Sequence, residues 1–270
     1  MSTSTTPLQR FRDAYAEHRA AEGRGAGGLA ELLALPYLRS GTHAAAWRVR
    51  ARTFERFLER VVVPHAARAG RSLRVLDLGA GNGWLCYRLG RSGHRTVALD
   101  LRTDHTDGLG AAAGYRAVLP ALFPRIAATF DALPLRTASF DLVVFNASLH
   151  YASDLSATLA EAARCLVPGG TMAILDTPWY RQDSDGAAMV AEKRANAIDR
   201  FGQRSEALLG PDQIEYLTPE RLQQASAGLA LSWRRQRVRY PLWYELRPWK
   251  AALQRRRRPS RFDIWEARVP

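Results

Sequence analysis

Short apolar runs recur through the middle of the chain, beginning at Leu73. Five of them are separated by segments of helix length: LRVLDLG, TVALD, IAATFD, FDLVVFN and GGTMAILD. Strands of a parallel sheet are buried on both faces and are joined by crossover helices, so they produce this rhythm. Two more strand-like runs, LALSWRRQRVRY and FDIWEARV, lie near the end of the chain. We therefore predict an α/β fold with a doubly wound, mostly parallel sheet of seven strands.

Residues 1–70 show a different pattern, which predicts helices. After a glycine-rich break at 23–28, an amphipathic stretch runs from about His43 to Val63. The positions at helical spacing in it are Trp47, Arg50, Phe54, Phe57, Leu58 and Val61. We expect residues 1–70 to form a helical cover and residues 71–270 to form the main domain. An insertion is expected near 177–210, where the alternation of strands and helices breaks.

Size and charge narrow the class of protein. With 270 residues and 47% hydrophobic content, the chain can form one large α/β domain with additions. A formal net charge of +13 would ordinarily indicate nucleic acid, an anionic membrane surface or an acidic substrate as partner. However, only Lys193 and Lys250 are lysines among the 39 basic residues, and the arginine excess accompanies abundant alanine. We interpret the charge as a compositional bias, with a polyanionic partner as the minor alternative.

The two cysteines and the first ten residues are informative about metal binding and about the cellular compartment of the protein. Cys86 and Cys165 lie far apart, inside predicted helices, so they form neither a redox pair nor a zinc cluster, and no metal is expected. The first residues, MSTSTTPLQR, lack the apolar region of a signal peptide, and no run reaches the length of a membrane span. A cytoplasmic protein without a membrane partner is therefore expected. The sequence does not predict the oligomeric state.

The segment VLDLGAGNGWLCYRLG, residues 75–90, is the most informative one. A strand runs into Asp77, a glycine-rich turn follows, and a helix begins at Trp84. Glycines serve where the backbone takes a positive φ or where a ligand approaches it closely, so the turn predicts a nucleotide-like ligand at the carboxyl edge of the sheet. The dinucleotide fingerprint would need glycine at position 84. A carboxylate at position 77 also disfavours pyrophosphate and suits a cationic ligand.

The order D-x-G-x-G-x-G resembles motif I of the class I S-adenosylmethionine-dependent methyltransferases, of the small-molecule type. This resemblance implies a Rossmann-like fold with S-adenosyl-L-methionine as cofactor. It also implies that the loop contacts the cofactor through Asp77, Gly79, Ala80, Gly81 and Gly83. The resemblance covers roughly residues 70–235. It leaves out the N-terminal helices, the insertion and the loop LRTDHTDGLG after the second strand.

Three later features lie where that family would place them. Asp100 and Leu101 stand at the tip of the second strand, where the family's acidic residue accepts hydrogen bonds from the ribose hydroxyls. Asp131, with Ala132 and Leu133 beside it, resembles the position that contacts the adenine. Phe145 and Asn146 end the fourth strand, which in the family runs beneath the cofactor. Taken singly, Asp100 could be a helix cap and Asp131 a turn residue.

Methyl transfer is an in-line displacement, so an enzyme helps mainly by positioning the acceptor and excluding water. A general base assists when the acceptor carries a proton. His150, just after the fourth strand, is the best candidate, because strand tips on that edge face the ligand crevice. The alternative is a histidine that bonds locally or packs at the rim. Asn146 is not followed by the Pro-Pro-Tyr or Pro-Pro-Phe sequence typical of amino-methylating nucleic-acid enzymes.

The acceptor pocket should come from the parts of the chain outside the resemblance. Their aromatic residues either bind an apolar acceptor or attach the cover to the core: Tyr15, Tyr37, Trp47, Trp179 and Tyr180. The first hypothesis is a methyltransferase acting on oxygen, nitrogen or carbon of a small molecule. The alternatives are an RNA or DNA methyltransferase that uses the Arg-rich surface, and a non-catalytic S-adenosylmethionine-binding regulatory protein. The run RRRR at 255–258 is expected to be a solvated connection between the last two strands.

Overall fold

A computed structural model describes residues 28–201 and 213–270. Its centre is a seven-stranded sheet in the order β3-β2-β1-β4-β5-β7-β6. The strands are β1 Arg74–Leu78, β2 Arg95–Asp100, β3 Arg125–Ala127, β4 Phe140–Asn146, β5 Leu166–Leu175, β6 Arg234–Gln236 and β7 Ile264–Arg268. Each predicted run overlaps one of them. The predicted α/β class and the seven-stranded, mostly parallel sheet are therefore confirmed.

The strand order creates a crevice between β1 and β4. Strands β1 to β5 are parallel to one another, whereas β7 is antiparallel to both β5 and β6. After β1 the chain moves to one side for β2 and β3, and then crosses to the other side for β4 and β5. In open α/β sheets ligands bind outside the carboxyl ends of the strands, at the point where the order reverses.

Helices cover both faces of the sheet. Their bounds are α1 Gly28–Ala34, α2 Ala44–Phe57, α3 Val63–Ala69, α4 Trp84–Arg91, α5 Leu155–Cys165, α6 Asp183–Phe201, α7 Pro219–Ser226, α8 Leu242–Glu245 and α9 Arg247–Leu253. One core cluster joins α2 and α4 to one face of the sheet, and a second joins α5 and α7 to the other. In the described part of the chain, no helix has both the length and the apolarity needed to cross a membrane.

The predicted amphipathic stretch forms α2 and, after one π-helical turn at Leu58–Val62, α3. Its apolar side is buried against the sheet: Trp47, Phe54, Phe57 and Val61 are at most 6% exposed. Burying one such side chain contributes about 1.5–3 kcal/mol, so this face holds the helix in place. Residues 1–27, including Tyr15 and most of the glycine-rich break, lie outside the described residues.

The C-terminal connection differs from its prediction. Between β6 and β7 the chain forms α8 and α9 and then returns along α6, whose first residue is Asp183. The run 255–258 is mostly exposed, as expected. However, the Arg257 guanidinium bonds the Glu192 carboxylate at 2.8 Å and the Tyr180 hydroxyl at 3.2 Å. The connection is therefore attached to the insertion helix and is not only solvated.

Candidate functional site

The glycine loop closes tightly against the tips of β2 and β4. Gly79, Gly81 and Gly83 all have positive φ, between 53° and 76°. A Cβ added at Gly79 would lie 2.2 Å from the Cβ of Ser148, and one at Gly83 would lie 2.7 Å from the Phe123 ring. Side chains are therefore excluded by both conformation and space. Gly79 and Gly81 stay half-buried at the carboxyl edge, and α4 begins directly after the loop.

Asp77 is a buried acid directly before this loop. It is 1% exposed, and its Oδ2 is 3.7 Å from the Cys86 thiol, which donates a weak hydrogen bond. Its Oδ1 is buried and accepts no hydrogen bond from any described residue. Burial, together with the nearby Asp100 carboxylate, raises the pKa of Asp77 to about 8. A cation that entered the crevice would favour the ionised form and satisfy the idle oxygen.

Asp100, at the tip of β2, ties the glycine loop to the next loop. Its Oδ2 accepts a hydrogen bond from the Gly81 amide at 2.8 Å, and its Oδ1 accepts one from the Arg102 amide at 2.8 Å. Burial raises the pKa of Asp100, and these two amide bonds oppose the rise. A carboxylate offers about four lone-pair sites, so each oxygen retains acceptor capacity for a ligand hydroxyl.

Asn146, at the end of β4, lies on the same face as Asp77. Asp77 pairs with Val144 in the sheet register, and residues two apart along a strand share a face. The Asn146 side chain is 8% exposed, and its Oδ1 finds no hydrogen-bond donor within 28–201 and 213–270. Two acceptor oxygens without described donors, Asp77 Oδ1 and Asn146 Oδ1, thus lie on one face of the sheet beside the glycine loop. Buried polar atoms are normally bonded, so this pair suits a ligand that brings N–H donors or positive charge.

His150 lies just beyond, in a short 3-10 helix at Leu149–Tyr151. It is half-buried, and its ring centroid is 4.2 Å from that of Tyr151. Its carbonyl accepts a hydrogen bond from the Glu215 amide at 2.9 Å, and Glu215 pairs with Lys193 of α6 at 2.7 Å. His150 is therefore located on the edge that α6 and the segment after the undescribed residues cover.

The remaining predicted cofactor residues lie in loops beside this edge. Leu101 is half-buried after Asp100, whereas Asp131 and Ala132 are exposed. The loop that carries Asp131 is anchored by the Phe130 ring, which packs edge-on against Phe145 with a centroid distance of 5.9 Å. The structure thus brings the predicted residues to one sheet edge, with Asp131 and Ala132 as the most open part of it.

A buried acid that the sequence analysis missed stands at the end of β5. Asp176 has a φ of 48° and is 6% exposed. Its Oδ1 accepts a hydrogen bond from the Thr53 hydroxyl of α2 at 2.7 Å. The Thr53 hydroxyl is also 2.9 Å from the Tyr240 hydroxyl, which donates to the Phe262 carbonyl at 2.6 Å. We call Thr53, Asp176 and Tyr240 the buried triplet.

The hydrogen bonds of the buried triplet depend on whether Asp176 is ionised. The Tyr240 hydrogen goes to a carbonyl, so Thr53 can donate either to an ionised Asp176 or, when Asp176 is protonated, to Tyr240. Burial raises the pKa of Asp176 to about 6, opposed by the charge of Arg50 and the bond from Thr53. The bonding pattern can therefore change with pH near neutrality.

Most aromatic residues suggested for an acceptor pocket are packed in the core. Trp47 meets Trp84 edge-on at 5.8 Å, Trp179 stacks on Trp265 at 4.6 Å, and Tyr180 meets Tyr216 edge-on at 5.7 Å. Tyr37 differs, since it is 41% exposed and has the Arg88 guanidinium 5.3 Å from its ring centroid. Among the suggested side chains that the structure describes, only Tyr37 is substantially open to solvent.

A cavity of about 210 Å³ adjoins the glycine loop. Its apolar wall comes from Leu32, Leu35 and Trp47, and its polar wall from Asn82, Thr106 and Asp107. The polar wall includes part of the loop LRTDHTDGLG, which the family resemblance did not cover. The Asn82 amide donates to the Asp107 carboxylate at 3.3 Å and so joins this loop to the glycine turn.

Comparisons with known proteins agree with this geometry. A family described as "Methyltransferase domain" matches residues 76–174. The malonyl-[acyl-carrier protein] O-methyltransferase of Erwinia pyrifoliae is 38% identical over 107 residues, which are 38% of this chain and 37% of that protein. The ubiquinone biosynthesis O-methyltransferase of Rhizobium rhizogenes is 28% identical over 159 residues, 56% of this chain and 60% of that protein. The chain thus spans less than two thirds of the length of either relative.

Solved structures support the fold. MccD protein superposes with a TM-score of 0.55 at 15% identity, covering 81% of this chain and 96% of its own. A protein of Pyrococcus horikoshii OT3 gives a TM-score of 0.52 at 16% identity, with 83% and 91% covered. At such identities the likeness concerns the architecture alone.

Proposed function

We propose that the chain is a class I S-adenosylmethionine-dependent methyltransferase, that its crevice binds S-adenosyl-L-methionine and that the protein methylates a small-molecule acceptor; the match of residues 76–174 to a methyltransferase domain supports this. The observation that carries the proposal is the glycine loop flanked by two buried oxygens without donors, Asp77 Oδ1 and Asn146 Oδ1, in the part of the chain that the structure describes. This arrangement suits a ligand that carries both positive charge and N–H groups.

Each predicted residue has an assigned contact in this proposal. Asp77 holds the ammonium group, because its carboxylate needs a nearby cation in order to ionise fully at neutral pH. The glycine loop, with Gly79, Ala80, Gly81 and Gly83, contacts the same end of the cofactor, and the lack of side chains at its glycines allows a close approach. Asn146 supplies an acceptor oxygen beneath it.

The adenosine end of the cofactor extends toward β2 and β3 in this proposal. Asp100 accepts the ribose hydroxyls with the lone pairs that the Gly81 and Arg102 amides leave. Asp131 accepts the adenine amino group, and Leu101 and Ala132 flank the base. The exposure of Asp131 and Ala132 is compatible with a loop that becomes covered when the ligand binds.

The cofactor, when bound, supplies an electrophilic methyl group on a sulfonium. The protein then has to orient an acceptor, exclude water and remove a proton where the acceptor carries one. The cover helix α2 closes one side of the crevice with Trp47. His150, at the tip of β4, is the proposed base, with a rim position as the alternative. Because both relatives are O-methyltransferases, carboxylic acids and hydroxyl compounds are the first acceptors to examine.

One experiment tests the proposal as a whole. The chain is incubated with radiolabelled cofactor and, separately, with pools of carboxylic acids and phenols, pools of amines, or total RNA and DNA. Label in a small-molecule pool is expected. Label in RNA or DNA would instead indicate a nucleic-acid methyltransferase that uses the Arg-rich surface. Cofactor binding without label in any pool would favour a non-catalytic regulator. Binding of NAD but not of S-adenosylhomocysteine in calorimetry would refute the cofactor assignment.

A further inference from the structure

The C-terminal helices expose a concentrated set of large apolar side chains. Five of the ten large apolar residues that are exposed in the described chain lie between 242 and 253. They are Leu242 at 73% exposure, Trp243 at 45%, Leu246 at 49%, Trp249 at 74% and Leu253 at 85%, and we call them the C-terminal apolar face. Single exposed apolar residues are ordinary, but a contiguous set marks a surface that something else contacts.

The C-terminal apolar face follows the helical repeat. Residues 242, 246, 249 and 253 stand four, three and four positions apart, the spacing of one side of a helix, and Leu246 is the single residue between α8 and α9. The opposite side faces the protein, because Tyr244 is 3% exposed and packs against Tyr240 with ring centroids 4.4 Å apart. The segment is therefore amphipathic with its apolar side outward.

Positive charge surrounds this face. From residue 246 to 262 the chain has seven Arg or Lys residues and no Asp or Glu. Arg257 and Arg261 are held by Glu192 and Glu245, so their charges are already paired. Lys250, Arg255 and Arg256 are exposed and form no ion pair with another residue that the structure describes. This surface thus has three positively charged side chains outside ion pairs beside two exposed tryptophans.

We propose that the C-terminal apolar face binds peripherally to an anionic lipid bilayer. Trp243, Trp249 and the leucines would enter the region between headgroups and acyl chains, where amphipathic aromatic rings are stable. Lys250, Arg255 and Arg256 meet the anionic headgroups. Tryptophan and leucine on one side, with basic residues around them, is the composition of helices that lie in a membrane interface. The inference is independent of the cofactor and of the acceptor.

The test is cosedimentation of the full chain with phosphatidylcholine vesicles that contain or lack phosphatidylglycerol. Binding is expected for the anionic vesicles and should weaken as salt rises. Each arginine removed in an Arg255→Gln, Arg256→Gln variant should weaken binding about fivefold, since a basic residue near an anionic surface contributes about 1 kcal/mol. Trp249→Ser should weaken it roughly tenfold or more, as expected for an apolar side chain that leaves the interface.

Matched controls lie on other surfaces of the same chain. Val63→Ser removes an apolar side chain that is 61% exposed on α3, and Arg95→Gln with Arg116→Gln removes two exposed charges elsewhere. Both controls should bind like the unmodified chain, and circular dichroism verifies that every variant is folded. Quenching of tryptophan fluorescence by brominated lipid should fall in Trp249→Ser but not in Val63→Ser.

Three results would overturn the proposal. These are failure to bind phosphatidylglycerol vesicles, equal binding to both kinds of vesicle, and equal losses in the controls and in the face variants. A chain that ignores vesicles but is retained by an acidic protein would assign the face to a protein partner instead.

Discussion

The ionisation of Asp77 makes a prediction that separates a cofactor-binding acid from a structural one. In the free protein, burial raises the pKa of Asp77 to about 8, so the carboxyl is mostly protonated at neutral pH. If the ammonium group of the cofactor binds the ionised form, the apparent affinity must fall as pH falls below that value. The dissociation constant of S-adenosylhomocysteine should then be about elevenfold above its limiting value at pH 7 and about a hundredfold above it at pH 6.

Asp77→Asn is the informative variant. It keeps the shape of the side chain but cannot ionise, so the pH dependence between 6 and 7.5 should disappear. At pH 7.5 binding should also weaken by on the order of ten- to a hundredfold, because a hydrogen bond to a charged group contributes about 1.5–3 kcal/mol. Asp131→Asn, at an exposed acid of the same proposed site, is the control and should retain the pH dependence.

Asp77→Asn should weaken cofactor binding but increase the stability of the fold at alkaline pH. An acid whose folded pKa lies above its unfolded value destabilises the fold once pH exceeds the unfolded pKa, and the loss is complete above the folded one. The pKa of Asp77 rises from 3.8 in the unfolded chain to about 8 in the folded protein, so ionising Asp77 costs at most about 6 kcal/mol of folding stability. Urea unfolding of Asp77→Asn should therefore show a gain in stability at pH 9 that is absent at pH 4.

Calorimetry of S-adenosylhomocysteine at pH 6.0 and 7.5 measures the affinities, and buffers of different ionisation enthalpy reveal the proton that Asp77 releases. Equal dissociation constants at the two pH values, or an Asp77→Asn variant that binds as tightly as the unmodified chain at pH 7.5, would refute the reasoning. In that case Asp77 would be a buried acid that the fold tolerates.

The other predictions concern three positions around the crevice. Asp100→Ala leaves the Gly81 and Arg102 amides without their acceptor and should cost about 1–3 kcal/mol of cofactor binding in calorimetry, with unchanged affinity removing Asp100 from the site. His150→Gln should slow single-turnover methyl transfer by about 10²–10⁴-fold and flatten its pH profile. An unaltered rate would mean that His150 only packs at the rim of the site and is not the base. Thr53→Val removes the donor to Asp176, so urea unfolding should show a destabilisation that is larger at pH 8, where Asp176 is ionised, than at pH 5 by about 1–3 kcal/mol. An equal loss at both pH values would contradict the proposed hydrogen-bond exchange.

The sheet could be predicted because its physics is local in sequence. A parallel strand is buried on both faces, so each strand appears as a continuous apolar run, and the glycine loop appears as one unbroken motif after β1. Asp77, Asp100 and Asn146 could be singled out as candidates for the same reason, since Asp77 is the next-to-last residue of β1, and Asp100 and Asn146 are the last residues of β2 and β4.

The buried triplet could not be predicted in this way. Asp176 does end the fifth run, but Thr53 is 123 residues from Asp176 and 187 residues from Tyr240. No pattern in the sequence relates positions so far apart; only the packing of α2 on the sheet joins them. Helices α8 and α9 were missed for another reason. Their apolar residues recur at helical spacing, but the segment forms two short helices of four and seven residues, and its apolar side faces outward and not onto the core.

Two buried acids, Asp77 and Asp176, and the half-buried Asp100 stand at the carboxyl edge of the sheet. Asp77 and Asp176 have raised pKa values from burial and would make the protein more stable if they were replaced by neutral side chains at alkaline pH. Asp100 uses its carboxylate to hold the loop, yet burial raises its pKa as well. Acids that destabilise a fold and gather at the tips of β1, β2 and β5 are unlike ordinary surface ion pairs, which lie in water and change stability little. At the carboxyl edge, the cationic, hydrogen-bonding ligand that we propose for the crevice would compensate this cost on binding.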